Sequence, residues 1–327
     1  MNILVTGGAG YIGSHTCKLL AQAGHRLVVY DNLSTGHRAV VKWGDFAWGD
    51  VRDIPRLLAV LERYRPDGVI HFASSIAVGE SVQDPGAYYD NNVTGSLCIM
   101  RALQQAGVRP LVVSGSAAVY GTPEANPIAE GSRLAPVNPY GRTKHIMEMM
   151  LEDFATAHGL PWMALRYFNA AGADPEGETG EWHDPETHLI PNVLRAIRGE
   201  IPELQMFGDD YPTPDGTCIR DYIHVMDLAS AHMLALEHLA AGKPSMALNL
   251  GNGNGVSIRQ IITTAQEVTG KLVPCRVAPR RPGDPAALVA DASRARQVLG
   301  WQPRHADLAV IVQTAWDWMR ASAARTA

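Results

Sequence analysis

Long apolar runs are missing from this chain: no stretch approaches the roughly 20 residues that a membrane-spanning helix needs, so no membrane association is expected. Cysteine is scarce, with Cys17, Cys98, Cys218 and Cys275 tens of positions apart and no CxxC pair. A disulfide framework or zinc ribbon is thereby excluded, and the four thiols read as reduced. Positive charge is not in excess either. The 28 lysines and arginines face 33 acids, and a net charge of −5 gives no field that would draw in nucleic acid. Charged residues make up only 19% of the chain against 46% hydrophobic, too apolar a balance for disorder. Residues 2–5 already read as a strand, so no leader is expected ahead of them, and the cytoplasm is the expected compartment.

What is present is a chain of 327 residues, long enough for two domains or one with a large insertion. Near-continuous β-branched runs at 3–6, 26–30, 68–72, 111–114 and 162–166 alternate with helical spacing at 12–23, 54–64, 88–106 and 139–158. Strands without polar alternation are covered on both faces, and strand–helix repetition implies a parallel, doubly wound α/β sheet of the Rossmann type. From 170 to 216 Gly, Pro, Asp, Glu and Thr take over, around a helical piece at 188–198. Later helices are expected at 227–239, 257–269, 293–299 and 308–320. The reading is a nucleotide-binding domain over 1–168, with a returning segment near 220–251, and a smaller C-terminal substrate domain over 169–327.

Directly after the first strand, Thr6-Gly7-Gly8-Ala9-Gly10-Tyr11-Ile12-Gly13 satisfies a dinucleotide fingerprint. Glycines there permit a tight turn, backbone approach to a pyrophosphate and close helix–strand packing, and the helix N-terminus favours the phosphates. Asp31, 18 residues beyond Gly13, ends the second strand where a carboxylate would accept from an adenosine ribose. It would repel a 2′-phosphate, so NAD is favoured over NADP. Asp50 could meet the adenine edge or equally cap the following helix. His183 and His188 lack an adjoining Cys or carboxylate cluster in this reading, and no metal is expected.

Asn138-Pro139 opens a helix in which Tyr140 and Lys144 share one face, one turn apart. A lysine so placed would lower the phenol's pKa and make a base near neutrality. Ser116, just past the strand at 111–114, could reach the same cavity, because such sheets hold ligands at their carboxyl ends.

These motifs resemble the extended short-chain dehydrogenase/reductases. The segments at 88–93, 166–169, 207–217, 220–225 and 278–284 narrow the likeness to the UDP-glucose 4-epimerase family, over nearly the whole chain. The resemblance implies a tightly held NAD and a UDP-sugar substrate. Tyr140 would take the sugar 4-hydroxyl proton as hydride leaves C4 for the nicotinamide. The 4-keto sugar would turn over, and the hydride would return to its other face. Ser116 would bridge the sugar O4 and Tyr140, and Lys144 would bind the nicotinamide ribose. By the same matching Gly7, Gly10, Tyr11, Ile12, Gly13, Asp31, Asn32, Asp50, Val51, Phe72, Ala73, Asn92, Ser114 and Tyr167 would contact the cofactor. Asn169, His188, Leu189, Phe207, Arg220, Tyr222, Arg281, Asp284 and Leu288 would contact the UDP-sugar, with Arg220 and Arg281 clamping its diphosphate. The family also implies a homodimer that pairs the helices near 88–106 and 139–158.

Departures carry expectations of their own. Ile76 stands where many members have a lysine that helps hold the cofactor, so its retention is expected to differ. His188 replaces a common Asn, and Leu288 replaces a Tyr found in some members. The smaller Leu288 leaves room for UDP-N-acetylhexosamines. A 4,6-dehydratase would need an acid–base pair where Ala117 and Ala118 stand. A 4-epimerase of UDP-glucuronate or of UDP-xylose/arabinose remains an alternative. A non-catalytic NAD-sensing protein would not need Ser116, Tyr140 and Lys144 together.

Overall fold

The computed structural model describes residues 1–281 and 284–326, with side chains through residue 321. Pro282 and Gly283 of the 278–284 block, and Ala327, lie outside the described residues. Strands β1 (Asn2–Thr6), β2 (Arg26–Asp31), β3 (Asp45–Trp48), β4 (Gly68–His71), β5 (Leu111–Ser114) and β6 (Trp162–Tyr167) join the strand Met246–Leu250 in one sheet. The order is Met246–Leu250, β6, β5, β4, β1, β2, β3, and every pairing is parallel. This is the doubly wound Rossmann architecture read from the sequence. Successive residues of each strand feed opposite cores. Ile3 and Val5 join Val29, Ile70 and Leu165 on one face, while Leu4 joins Val28, Val69 and Val113 on the other. Burial on both faces is why the strands show no polar alternation.

The helices at 54–64, 139–158 and 293–299 fall where the spacing predicts them, as Ile54–Tyr64, Pro139–His158 and Ser293–Leu299. The single helix read over 88–106 is divided into Pro85–Tyr88, a π-helical turn at Tyr89–Thr94, and Gly95–Ala106. Apolar periodicity does not register a one-residue insertion of this kind, which is frequent at functional sites. The two- and three-residue strands beyond residue 168 are not legible from periodicity, because a partner strand rather than local pattern holds each in place.

The chain beyond 168 crosses back into the first core more than once. Met246–Leu250 adds the sheet's seventh strand, the helix Val225–Ala240 packs along Tyr11–Gln22, and Ala292, Ala295 and Trp301 enter the same cluster as Ile3 and Leu20. A separate cluster of Ile190, Val193, Tyr222, Ile261, Ile311 and Trp316 forms the core of the second half. Between the halves, Val119, Tyr120 and Ile128 pack with Phe168 and Leu288.

Candidate functional site

The site opens at the carboxyl ends of the strands, where the order reverses between β1 and β4. Gly7 follows β1 at φ +73°, and a Cβ there would lie 2.5 Å from the Ala73 nitrogen. At Gly13 a Cβ would lie 2.3 Å from the Gly7 oxygen, so the helix Tyr11–Gln22 seats on the turn only because residue 13 is glycine. Gly10 N–H closes the turn on Gly7 O at 3.1 Å. Ile12 packs under it against the core, and Tyr11 donates from its hydroxyl to Gly172 O at 2.5 Å, tying the turn to the second half.

Asp31 is buried at the end of β2 and accepts from the N–H groups of Ala9 (3.0 Å) and Leu33 (2.8 Å). Burial raises its pKa, and the two N–H groups counter that. Two donors leave lone pairs on the carboxylate for further donors. Asn32 donates to Asp50 Oδ2 at 3.0 Å, and Arg52 binds the same carboxylate at 2.7 Å. The arginine holds Asp50 well below the usual carboxylate range. Asp50 does not cap the next helix. Asp53 does, accepting from Arg56 N–H at 3.0 Å. Val51 is buried in the core beneath. A glycine turn that Cβ atoms would block, with an acid at the end of β2, fits a dinucleotide.

Across the crevice, Phe72 N–H donates to Thr6 O at 2.8 Å and carries Ala73 against Gly7. Asn92, on the π-helical turn, spends its amide on protein: it accepts from Ser75 N–H at 2.8 Å and donates to Ser75 O (3.0 Å) and Thr143 Oγ1 (3.1 Å). It thereby holds the loop after β4 in place. Ile76 of that loop is 45% exposed.

Asn138 caps the helix Pro139–His158 through Gly141 N–H at 2.8 Å, and so sets the position of Tyr140 and Lys144. Both are buried, with Lys144 Nζ 5.9 Å from the Tyr140 ring centre. Lys144 donates to Ser114 O (2.9 Å) and to Ser74 Oγ (3.0 Å). Ser114 Oγ in turn shares a hydrogen bond with the Tyr167 hydroxyl. Ser116 caps the short turn Ala117–Tyr120, and its hydroxyl favours the ionised form of the Tyr140 phenol. The sequence predicts that Lys144 depresses the phenol. The structure corrects this: burial raises Tyr140, and the opposing influence comes from Ser116. Burial likewise lowers Lys144 to about 7, with Glu148 opposing.

Glu148 is one turn beyond Lys144, a spacing legible in the sequence. It grips Arg166 at 2.9 and 2.5 Å, and Arg166 donates to the Tyr120 hydroxyl at 2.8 Å. The network anchors the Tyr140 helix to β6. Neither Glu148 nor Ser74 stands out in the sequence, because each acts through a residue from a distant element.

Beyond β6, Asn169 donates from its amide to Asp221 O at 3.0 Å. Buried Asp221 accepts from the N–H groups of Asn252, Gly253 and Ala290 at 2.8 to 3.0 Å. Arg220 and Arg281 converge on opposite oxygens of Asp284, at 3.3 and 3.1 Å, and Arg281 stacks 4.8 Å over Phe207. Leu288 pairs in register with Arg220 and packs against the Ala117–Tyr120 turn that Ser116 caps. Tyr222 is buried in the second core and Leu189 packs against it.

His188 precedes the helix Leu189–Arg198, with Nδ1 2.5 Å from Glu181 Oε1 and 3.4 Å from Glu186 Oε1. His183 Nδ1 lies 3.2 Å from Glu181 Oε1. The expectation that these histidines have no matching carboxylates is therefore wrong, because the fold of the 181–188 loop supplies two. Burial opposes their protonation, but the glutamates raise His183 to about 9 and His188 to about 10.

The model of the NAD dependent epimerase/dehydratase family matches residues 3–251. A UDP-glucose 4-epimerase of Rhizobium meliloti (strain 1021) is 52% identical over 317 residues, covering 97% of this chain and 96% of that protein. The structure of UDP-glucose 4-epimerase from Brucella ovis in complex with NAD aligns with a TM-score of 0.95 at 54% identity, covering 97% of each chain. That of the Stenotrophomonas maltophila UDP-glucose 4-epimerase, with bound NAD and formylated UDP-arabinopyranose, aligns with a TM-score of 0.97 at 45% identity over the full length of both.

Proposed function

The chain belongs to the NAD dependent epimerase/dehydratase family, and from that premise we propose that it interconverts UDP-glucose and UDP-galactose at C4. The observation that carries this reading is the meeting of Ser116, Tyr140 and Lys144 beside the glycine turn, with Ala117 and Ala118 where a dehydratase would need acids. NAD, when bound, would supply a hydride acceptor and donor for C4. Gly7, Gly10 and Gly13 would admit its pyrophosphate, and Asp31 would accept from its ribose. Tyr140 takes the proton of the sugar 4-hydroxyl and later gives it back, with Ser116 holding both oxygens. Lys144, held by Ser114 O and Ser74 Oγ, would bind the nicotinamide ribose. With Asp284 as their shared hinge, Arg220 and Arg281 take the diphosphate, and Asn169 stands near it.

Two finer readings accompany this one. Leu288, smaller than a tyrosine and packed on the Ser116 turn, leaves room for an N-acetyl group. A second copy of the chain packs on the helix Pro139–His158, where Met149 is 51% exposed. Work in the cytoplasm agrees with four free cysteines. Among the described residues no helix is long and apolar enough to cross a membrane.

The test incubates purified protein with UDP-galactose, without added NAD, and identifies the products. UDP-glucose is expected, and Tyr140→Phe should lower the rate by about 10²–10⁴-fold while NAD stays bound. Turnover of only UDP-glucuronate or UDP-xylose would move the assignment to another sugar nucleotide, and a variant as active as the wild type would remove Tyr140 from the chemistry.

A further inference from the structure

We propose that Glu181, His183, Glu186 and His188 form a four-coordinate site for a divalent transition cation of the zinc class, which pins the 181–188 loop beside the glycine turn. One ligand atom from each residue lies within 4.8 Å of all the others. Glu181 Oε1 lies 3.2 Å from His183 Nδ1 and 2.5 Å from His188 Nδ1, while Glu186 offers Oε2 to His183 at 3.8 Å and Oε1 to His188 at 3.4 Å. Ligand atoms of a tetrahedral zinc ion with bonds of about 2.0–2.1 Å stand about 3.3 Å apart, so the donor atoms already approximate such a shell.

A second observation is the state of His188 Nδ1. The atom is enclosed and 2.5 Å from Glu181 Oε1 without a hydrogen bond's alignment, while the side chain as a whole is 42% exposed. The carboxylates tell the same story. Each glutamate side chain is 7% exposed, and among the described residues neither has a lysine or arginine ion partner. Two buried carboxylates balance one dication. The nearby acidic group Asp174, Glu176 and Glu178 differs, because the Lys18 ammonium sits 2.7, 2.6 and 2.7 Å from its oxygens and fills its centre.

Two imidazoles with two carboxylates select zinc, nickel, copper or iron over calcium and magnesium. Four protein ligands leave no open position, so the ion holds structure rather than activating water. What it would hold is the crossing between the halves. Trp182 stacks on His37 at 3.9 Å, His183 meets the Tyr11 ring edge-on at 6.1 Å, and Trp318 donates to Glu181 O at 3.0 Å. With the cation on Nδ1, the remaining proton of His188 is fixed on Nε2 as a hydrogen-bond donor.

The experiment uses the full chain, without a histidine tag, in its NAD-loaded form. After dialysis against Zn²⁺ and then buffer, elemental analysis should find one zinc per chain, and Co²⁺ in its place should give the intense visible band of a tetrahedral ion. The double variant His183→Ala/Glu186→Gln, with its fold checked by circular dichroism, should bind at least about 100-fold more weakly. Chelator should lower the wild-type melting temperature and leave the variant's unchanged. The proposal is overturned by absence of stoichiometric zinc, by equal binding in the variant, by Mg²⁺ or Ca²⁺ binding as tightly, or by a thiolate-to-cobalt charge-transfer band. Metal content is read without turnover, so its failure leaves the epimerase reading untouched.

Discussion

Tyr140 and Lys144 stand one helical turn apart, and sequence spacing places them on one face but is silent on what surrounds them. Burial pushes the phenol up and the ammonium down to about 7. Both influences are tertiary, since Ser74, Ser114 and Ser116 come from other elements. Asp50 shows the same limit: its place after a strand suits either a cap or a ligand, and only the structure gives the cap to Asp53. Leu288 allows a prediction at this scale. It packs with Phe168 and the turn that Ser116 caps, so a larger side chain intrudes on the sugar. Wild-type protein is expected to turn over UDP-N-acetylglucosamine as well as UDP-glucose. Leu288→Tyr should cut the N-acetyl activity by about 10- to 100-fold relative to UDP-glucose. Product analysis of both substrates checks this, and no N-acetyl turnover by the wild type would refute it.

The helix Pro139–His158 was legible end to end because its signals are local: an Asn cap, a Pro at the first position, and Gly159 after the last turn. Its tether was not. Glu148 and Arg166 are 6% exposed or less, and they join helix to strand across 18 residues of sequence. Glu148→Gln leaves the Arg166 charge buried without its anion, and should cost about 3–5 kcal/mol of unfolding free energy by urea titration. Replacing both by methionine should recover much of that loss. A double variant no better than the single one would mean the charge pair is not what holds the helix. The π-helical turn Tyr89–Thr94 is the contrary case, where the sequence reads as one helix and an inserted residue turns Asn92 onto the loop after β4.

On the scale of the molecule, four buried histidines are held in their neutral form. His15, His71, His224 and His232 are completely or almost completely buried, and desolvation lowers them to about 4, 3, 3 and 4. In the unfolded chain each takes a proton near its ordinary value of about 6.5. Between there and about pH 4 the unfolded state therefore binds more protons, and stability falls as pH falls. Denaturation at pH 7, 6, 5 and 4 should show a progressive loss, of roughly 2–3 kcal/mol per histidine by pH 4. A flat profile across that range would contradict it. Assembly offers a further check. Sedimentation is expected to give twice the chain mass, and Met149→Glu, which puts a charge on the exposed face of the Tyr140 helix, should shift it to the single chain. A wild-type monomer would refute the pairing.

Local chemistry was enough to specify the parallel sheet, the glycine turn, Asp31 and the Tyr140 helix. Each is encoded in a short stretch by periodicity, by the need for glycine at a close approach, or by a cap. Contacts between distant segments were decided only by the folded chain: the grip of Glu148 on Arg166, and the shared hold of Arg220 and Arg281 on Asp284. The reason is physical. A helix or turn is stabilised by neighbours three or four positions away, whereas an ion pair or ligand shell depends on distances that no local pattern sets.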